Sequence, residues 1–220
     1  MKIIWHGQSL FEIIASIKQN EETKIVIDPF EEDLGLRVPK LEADILLSTH
    51  EHKDHANING VKGIGGISPF LITGPGEYDI KGAYIKGIPA FHDNVMGKER
   101  GKITIFTIEV EGIKICHLSD IGQKELTEEQ LEEIGEVNVL MVPVGGVYTV
   151  ESKEAVALIN QIEPQIVIPM HYQIPKLKLK LDGVDKFLKV MGIKNPEYSN
   201  KLSIKSKDLT GEMKIIVLQP

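Results

Sequence analysis

Residues 49–55 read Thr-His-Glu-His-Lys-Asp-His and hold three of the seven histidines of the chain together with two carboxylates. Neutral imidazole and carboxylate groups are ligands for zinc, manganese and iron, and a close-set group can serve neighbouring ions. His50 and His52, two positions apart, can bind one ion, whereas Asp54 and His55 can turn toward a second. An incidental polar loop would not gather so many histidines, so the segment predicts a metal site.

A metal site needs ligands from other parts of the chain, and three side chains stand in suitable places. His92, Asp120 and His171 each lie at the end of an apolar run that predicts a β-strand. Layered α/β folds usually place functional groups outside the carboxyl ends of strands. One such histidine alone is more often a surface or core residue, but these three placements and the cluster at 49–55, which also follows an apolar run, support each other.

The order of these residues resembles the five-part pattern of the metallo-β-lactamase superfamily. The pattern His50-x-His52-x-Asp54-His55 is followed by His92, Asp120 and His171. Four further segments are similar to the branch that contains ascorbate-6-phosphate lactonase and related uncharacterised Zn-dependent hydrolases: Trp5-His6-Gly7-Gln8-Ser9, Gly74-Pro75-Gly76-Glu77-Tyr78, His117-Leu118-Ser119-Asp120 and Pro169-Met170-His171-Tyr172. The resemblance runs from the first strands to about residue 172.

This resemblance implies a mixed α/β fold, a four-layer αββα sandwich, with two divalent metal ions on one rim. Zinc is the first choice, and manganese and iron are alternatives because their ligand preferences overlap. Iron-binding, oxygen-reducing members characteristically have Glu where His52 stands, so hydrolysis is favoured. The implied ligands are His50, His52 and His92 for the first metal, Asp54, His55 and His171 for the second, and Asp120 between both.

The chemistry that follows is attack of a metal-activated hydroxide on an ester, lactone, amide or phosphodiester bond of a small molecule. Asp54 and Asp120 are the expected catalytic carboxylates, and Asp54 could orient the water as well as bind metal. Two alternatives remain: a metal-binding protein of the same fold without hydrolytic turnover, and a nuclease.

Other residues are candidates with a plain structural alternative for each. His6 follows the first strand and could contact substrate or only pack, and Asp28 could fix the tautomer of a metal-bound imidazole or only end a strand. Arg100 could hold an anionic substrate group, or belong to a solvated loop. Tyr172 could donate a hydrogen bond to a transition-state oxygen, or only pack. His117 could either pack in the core or support the site.

The pattern of apolar residues places strands before helices. Strands are predicted at 24–29, 44–49, 69–73, 83–89, 102–111, 113–119, 137–144, 165–169, 202–205 and 213–218. Helices are predicted at 128–134 with Thr127 as N-cap, at 153–162 with Ser152 as N-cap, and at 185–191. This order indicates helices that cover sheets, and residues 1–220 are expected to form one metallo-β-lactamase-like domain.

Composition narrows the class of partner. The net charge is −7 and the sequence pI is near 5.6. The chain therefore lacks the excess of basic residues that would indicate binding to nucleic acid. Residues 176–180 alternate lysine and leucine, which predicts an edge strand or an extended loop. The single cysteine, Cys116, is expected to be a buried thiol in a reducing compartment. We expect a cytoplasmic enzyme with a small-molecule substrate and no membrane contact. The sequence leaves open whether the protein forms a homo-oligomer.

Overall fold

The computed structural model describes residues 1–18, 21–209 and 211–220, and β-strands form most of its first half. These strands are β1 (Lys2–Trp5), β2 (Phe11–Lys18), β3 (Glu21–Ile27), β4 (Leu41–Ala43), β5 (Ile45–Leu47), β6 (Val61–Gly63), β7 (Phe70–Ile72), β8 (Gly76–Ile80), β9 (Ala83–Phe91), β10 (Lys102–Val110) and β11 (Ile113–His117). Helices and strands then alternate: α1 (Glu128–Ile134), β12 (Val139–Pro143), α2 (Ser152–Ile162), β13 (Ile166–Met170), α3 (Val184–Val190), β14 (Glu197–Ser199), β15 (Leu202–Ser203) and β16 (Lys214–Leu218).

Two large sheets contain most of these strands. One has six strands in the order β15-β1-β2-β3-β5-β7, the other has eight in the order β14-β16-β13-β12-β11-β10-β9-β8, and β4 pairs with β6. Strands β5, β12 and β13 are buried along their whole length, because both of their faces are covered. In β2, buried and half-buried positions alternate from Phe11 to Ala15, as expected for a strand with one core face.

Helices α1 and α2 cover the eight-stranded sheet. Helix α1 contacts β9, α2 contacts β12, and α3 packs on α2. Helix α2 buries Ala155, Leu158, Ile159 and Ile162, which lie on one face because of their spacing. The helical segments among the described residues before Glu128 are all three-residue 3₁₀ turns, and none is an α-helix. The predicted mixed α/β fold is thus confirmed, and no described helix is long and apolar enough to cross a membrane.

Two local predictions can be checked closely. The helix predicted to begin after Ser152 begins at Ser152, so that cap was wrong by one residue. Glu151 is the N-cap, and its backbone N–H donates to the Glu154 carboxylate at 2.8 Å. Residues 176–180, which alternate lysine and leucine, form no strand, so the loop is the correct one of the two alternatives. The backbone N–H of Lys178 donates to Leu34 O and not to a neighbouring strand.

The carboxyl ends of several strands meet at one edge of the two sheets. Strand β3 is parallel to β5, and β11, β12, β13 and β16 are parallel to one another. Four non-glycine residues at this edge have left-handed backbone angles, with φ of 52° at Gln8, 51° at Asp28, 55° at Ser119 and 50° at His171. Such strain is rare and gathers at functional sites, so functional side chains are expected at this edge.

Candidate metal centre

All seven predicted metal ligands lie together at this edge. They form two groups, and within each group the candidate ligand atoms lie within 4.8 Å of one another. The first group is His50, His52 and His92, and the second is Asp54, His55, Asp120 and His171. The two groups have the memberships that the resemblance implies for two metals, with Asp120 in the second group.

Asp120 is the residue that reaches both groups. Its Oδ2 lies 3.0 Å from Nε2 of His171, 3.1 Å from Nε2 of His55 and 3.7 Å from Nε2 of His92. Its side chain is only 3% exposed. Because His92 belongs to the first group and the other two histidines to the second, Asp120 lies between the two groups.

Two imidazoles of the first group, those of His50 and His92, have lowered pKa values. The Nε2 atom of His50 lies 3.1 Å from the Nδ1 atom of His52. Burial and the positive charge of His55 lower the pKa of His50 to about 3. Burial also lowers the pKa of His92. Above pH 3 the imidazole of His50 is therefore unprotonated on one nitrogen, which is the form that binds a metal ion.

Asp28 and Thr49 set the tautomers of two of these histidines. The Asp28 carboxylate accepts hydrogen bonds from His55 Nδ1 at 2.9 Å, and from the Thr49 N–H and Oγ1–H at 2.8 Å each. Since the Thr49 hydroxyl donates to Asp28, it accepts from His50 Nδ1, 2.9 Å away. Both histidines therefore carry their proton on Nδ1 and present Nε2 to the centre. The predicted role of Asp28 agrees with this geometry.

Two buried polar residues support the carboxylates from the loop after β1. Gln8 Nε2 donates to Asp54 Oδ2 at 3.0 Å, and Ser9 Oγ donates to Asp120 Oδ1 at 3.1 Å. His117 Nδ1 accepts the Ser119 N–H, so its Nε2–H donates to the backbone oxygen of Ser9 at 3.1 Å. Sequence analysis did not assign roles to Gln8 and Ser9. The signal that could have found them is a polar pair at the end of a strand that is otherwise apolar.

Charge within the centre is strongly coupled. Burial raises the pKa of Asp120, but His171 and His55 outweigh it and hold that pKa well below the usual value. Burial likewise raises the pKa of Asp54, and His55 brings it below its usual value. Burial lowers the pKa of His55, yet Asp120, Asp28 and Asp54 raise it well above the usual value. Both carboxylates are thus ionised over the whole physiological range.

This arrangement fits a bound cation. With Nδ1–H committed to Asp28, the Nε2 lone pair of a neutral His55 faces Asp54 Oδ2 at 3.3 Å and Asp120 Oδ2 at 3.1 Å. Three electron-rich atoms at this distance repel one another unless a proton or a metal ion lies among them. Imidazole nitrogen and carboxylate oxygen, with the second imidazole nitrogen held by a carboxylate, are the donor set of protein metal sites.

Three further candidates lie outside both ligand groups. His6 Nε2 is 3.4 Å from a Glu12 carboxylate oxygen. The side chain of Arg100 is exposed, and its backbone N–H donates to Asp93. The Tyr172 hydroxyl donates to Leu218 O at 3.3 Å, and its ring packs 4.9 Å from that of Trp5. The substrate role suggested for Tyr172 therefore has no support in the geometry, which matches the packing alternative.

Asp93 fixes the loop that follows His92. Its carboxylate accepts four backbone N–H groups, from Val95, Gly97, Glu99 and Arg100, at 2.8–2.9 Å. Burial raises the pKa of Asp93, but these hydrogen bonds lower it to about 2. The loop that carries Arg100 is thus tied by a single side chain next to a candidate ligand.

The fold and the centre define a class of protein, the metallohydrolases whose active site lies at one edge of two packed sheets. Residues 2–171 match the β-lactamase superfamily domain. The chain is 31% identical over 197 residues to a UPF0173 metal-dependent hydrolase of Thermococcus onnurineus, with 78% of this chain and 84% of the relative covered. It is 30% identical over 198 residues to one of Pyrococcus abyssi, with the same shares covered.

A solved structure agrees over nearly the whole chain. It is that of a candidate Zn-dependent hydrolase of the metallo-β-lactamase superfamily from Thermotoga maritima, with a TM-score of 0.78, 37% identity, and 99% of this chain and 97% of the other covered. The chain belongs to the metallo-β-lactamase superfamily and is a metal-dependent hydrolase with a His/Asp metal-binding cluster.

Proposed function

We propose that the protein uses two divalent metal ions, zinc by preference, to hydrolyse an ester, lactone or phosphodiester bond in a small molecule. The observation that carries the proposal is Asp120, whose Oδ2 lies within 3.7 Å of imidazole nitrogens from both ligand groups. A carboxylate so placed can hold two ions a few ångströms apart, which is the spacing of two-metal hydrolases.

When bound, the two ions supply a hydroxide at neutral pH and polarise the substrate oxygen. His50, His52 and His92 would hold the first ion, and Asp54, His55 and His171 the second, with Asp120 between them. Asp28 and Thr49 hold Nδ1 of His55 and His50, so Nε2 of each ring points toward the centre. Gln8 and Ser9 hold one oxygen each of Asp54 and Asp120, so each carboxylate keeps its orientation.

Asp54 is the carboxylate best placed to handle the proton of the attacking water. Its Oδ2 is engaged by Gln8 and His55, which leaves Oδ1 to accept a hydrogen bond. Its side chain is 21% exposed, against 3% for Asp120, so solvent and substrate reach it. The lowered pKa of Asp54 keeps it ionised, so it can accept a hydrogen bond from the attacking water and orient it.

The choice of zinc follows from the donor set. Five imidazoles and two carboxylates suit zinc well, although manganese and iron accept the same ligands. The single thiol, Cys116, is buried, and burial raises its pKa to about 12, so it offers no reactive group. A chain without a cysteine pair fits a reducing compartment, and we propose a cytoplasmic enzyme acting on a small molecule and not on nucleic acid.

Metal content tests the proposal first. Protein purified without chelator should contain about two equivalents of metal per chain by elemental mass spectrometry. Asp120→Asn keeps the shape of the side chain and removes the shared charge, so its content should fall sharply. The matched control is Asp185→Asn, which changes an exposed carboxylate of α3 and should keep the wild-type content.

Turnover is then tested with chromogenic esters, lactones and bis(p-nitrophenyl) phosphate. We expect hydrolysis that chelation abolishes, that zinc restores, and that Asp120→Asn and Asp54→Asn lose. Wild-type protein that takes up two metal ions and cleaves none of these bond types would contradict the proposal and support a metal-binding role without turnover. Wild-type protein that takes up no zinc or manganese would show that the ligand groups do not assemble a site.

A further inference from the structure

A cavity of about 960 Å³ begins next to the metal centre, at Tyr172 after His171, and none of the seven ligands lines it. Its walls come from six separated parts of the chain: His6, residues 36–40, residues 172–176, Val184, Tyr198, and the segment from Val217 to Pro220. This volume is typical of sites that bind a small molecule. We refer to it as the basic-rimmed cavity.

The rim of this cavity is positively charged. Arg37, Lys40 and Lys176 line it, whereas no Asp or Glu side chain does. All three cations are exposed, and within the described part of the chain none forms an ion pair. The chain as a whole has 32 acidic and 25 basic residues. A wall that excludes acidic side chains in so acidic a protein attracts an anion.

Below the rim the wall is largely apolar. Leu36, Val38, Ile174, Val217 and Leu218 line it. A ligand that filled the space would therefore need an apolar body as well as an anionic group.

The two loops that carry the rim are held together tightly. Gly35 has φ of 84°, and a Cβ there would lie 2.5 Å from the backbone oxygen of Lys176. Lys176 itself has φ of 72°, a strained value for a residue other than glycine. Gly7 has φ of 100°, and a Cβ there would lie 2.9 Å from Leu36 and 3.2 Å from Ile174. The two loops therefore pack closely at both glycines, against backbone at Gly35 and against side-chain ends at Gly7.

We propose that the basic-rimmed cavity binds an amphipathic anion, a small molecule with an apolar body and a carboxylate or phosphate head. The head would lie at Arg37, Lys40 and Lys176, and the apolar body against Ile174 and its neighbours. Binding there needs neither a bound metal nor turnover, so this proposal does not depend on the proposed reaction.

Five probes test the two halves of the ligand by calorimetry with the full-length protein, below their micelle concentrations. Decanoate and decyl phosphate combine both halves, and the stronger of the two identifies the head group. Acetate lacks the apolar body, decanol lacks the charge, and decyltrimethylammonium reverses the charge. We expect the two amphipathic anions to bind and the other three to bind weakly or not at all.

Paired variants locate the binding. The double variant Arg37→Gln, Lys176→Gln should lower the affinity for decanoate about 2- to 25-fold, which is the range for losing two exposed charge pairs. The matched control is Lys62→Gln, Lys153→Gln, which removes the same charge from exposed lysines elsewhere and should leave the affinity unchanged. Chelator-treated protein should bind decanoate as well as metal-loaded protein does.

Three outcomes would overturn the inference. Equal binding of decanol and decanoate would show that the rim does not select an anion. Loss of decanoate binding on chelation, with no effect of the rim variant, would place the carboxylate on the metal ions. A dimer in sedimentation analysis that the rim variant makes monomeric, with no probe bound, would show that a second copy of the chain occupies the cavity.

Discussion

Replacing Asp28 by Asn should weaken metal binding while the protein stays folded. Asp28 touches no proposed metal position, yet its carboxylate accepts three buried hydrogen bonds that fix His55 directly and His50 through Thr49. The single oxygen of an Asn amide can accept at most two of these bonds. Its NH₂ group must then face the third donor, so one buried donor loses its partner.

The size of the effect can be worked out from these contacts. A buried donor without a partner costs about 1–3 kcal/mol of folding free energy. This cost is smaller than the free energy of unfolding of ordinary domains, which is roughly 5–15 kcal/mol, so we expect the variant to remain folded. Loss of a partner that orients a metal-bound histidine lowers metal affinity about 10- to 100-fold. This corresponds to about 1.4–2.7 kcal/mol of binding free energy.

Competition with a chromogenic chelator measures zinc affinity, and urea unfolding of chelator-treated protein measures the stability of the same variants. Asp44→Asn is the matched control, since its carboxylate is 6% exposed and accepts the Lys24 backbone N–H at 3.0 Å, but lies outside both ligand groups. The control should lose stability without losing zinc affinity. If Asp28→Asn loses the stability expected for one unpaired donor yet binds zinc as tightly as wild type, the tautomer argument is wrong.

Three further predictions concern other side chains. Ser9→Ala removes the one hydroxyl that donates to Asp120 Oδ1, so turnover should fall by about 3- to 30-fold, less than in Asp120→Asn; equal losses in steady-state kinetics would contradict a supporting role. The pKa of Asp93 is lowered to about 2, so its hold on residues 95–100 is complete above the unfolded pKa near 4 and is lost as the pH falls through 2. Amide exchange of that loop, corrected for intrinsic rates, should rise between pH 4 and pH 2, and Asp93→Asn should show the fast exchange already at pH 6. The Cys116 thiol, with its pKa raised to about 12, should not react with a disulfide reagent at pH 8 until the protein is unfolded, and prompt reaction of native protein would show that the thiol is accessible.

Sequence spacing found the ligand groups because metal chemistry allows few residue types. Histidine and aspartate at strand ends are visible in one dimension, and the segment from His50 to His55 supplies four ligands without any knowledge of the fold. The remaining three lie at the ends of predicted strands. Parallel pairing through β12 brings the ends of β11 and β13 to one edge, and β9, two antiparallel pairings away from β11, ends at the same edge. The apolar strands were visible for a similar reason, since burial on both faces requires unbroken apolar runs.

The supporting contacts could not be read in this way. Gln8 meets Asp54 across 46 positions, and Ser9 meets Asp120 across 111 positions. Which of many polar residues makes such a contact depends on sheet packing and not on local pattern. The basic-rimmed cavity escapes sequence reasoning likewise, because six separated parts of the chain enclose it. Sequence left two roles open for Tyr172, and its hydroxyl donates to Leu218 O, a contact that no local pattern indicates.

The surrounding scaffold holds several residues of the centre in costly positions. Asp28 and His171 hold left-handed backbone angles, each of which costs about 1–3 kcal/mol, and Asp120 is an ionised carboxylate in a buried place. Hydrogen bonds within the protein sustain these positions: Asp28 to Thr49 and His55, and Ser9 to Asp120. These bonds are made by residues outside the two ligand groups, so the scaffold contributes to the orientation of His55 and Asp120. The selectivity for one ion over another therefore rests on donor type and on geometry that the chain itself imposes.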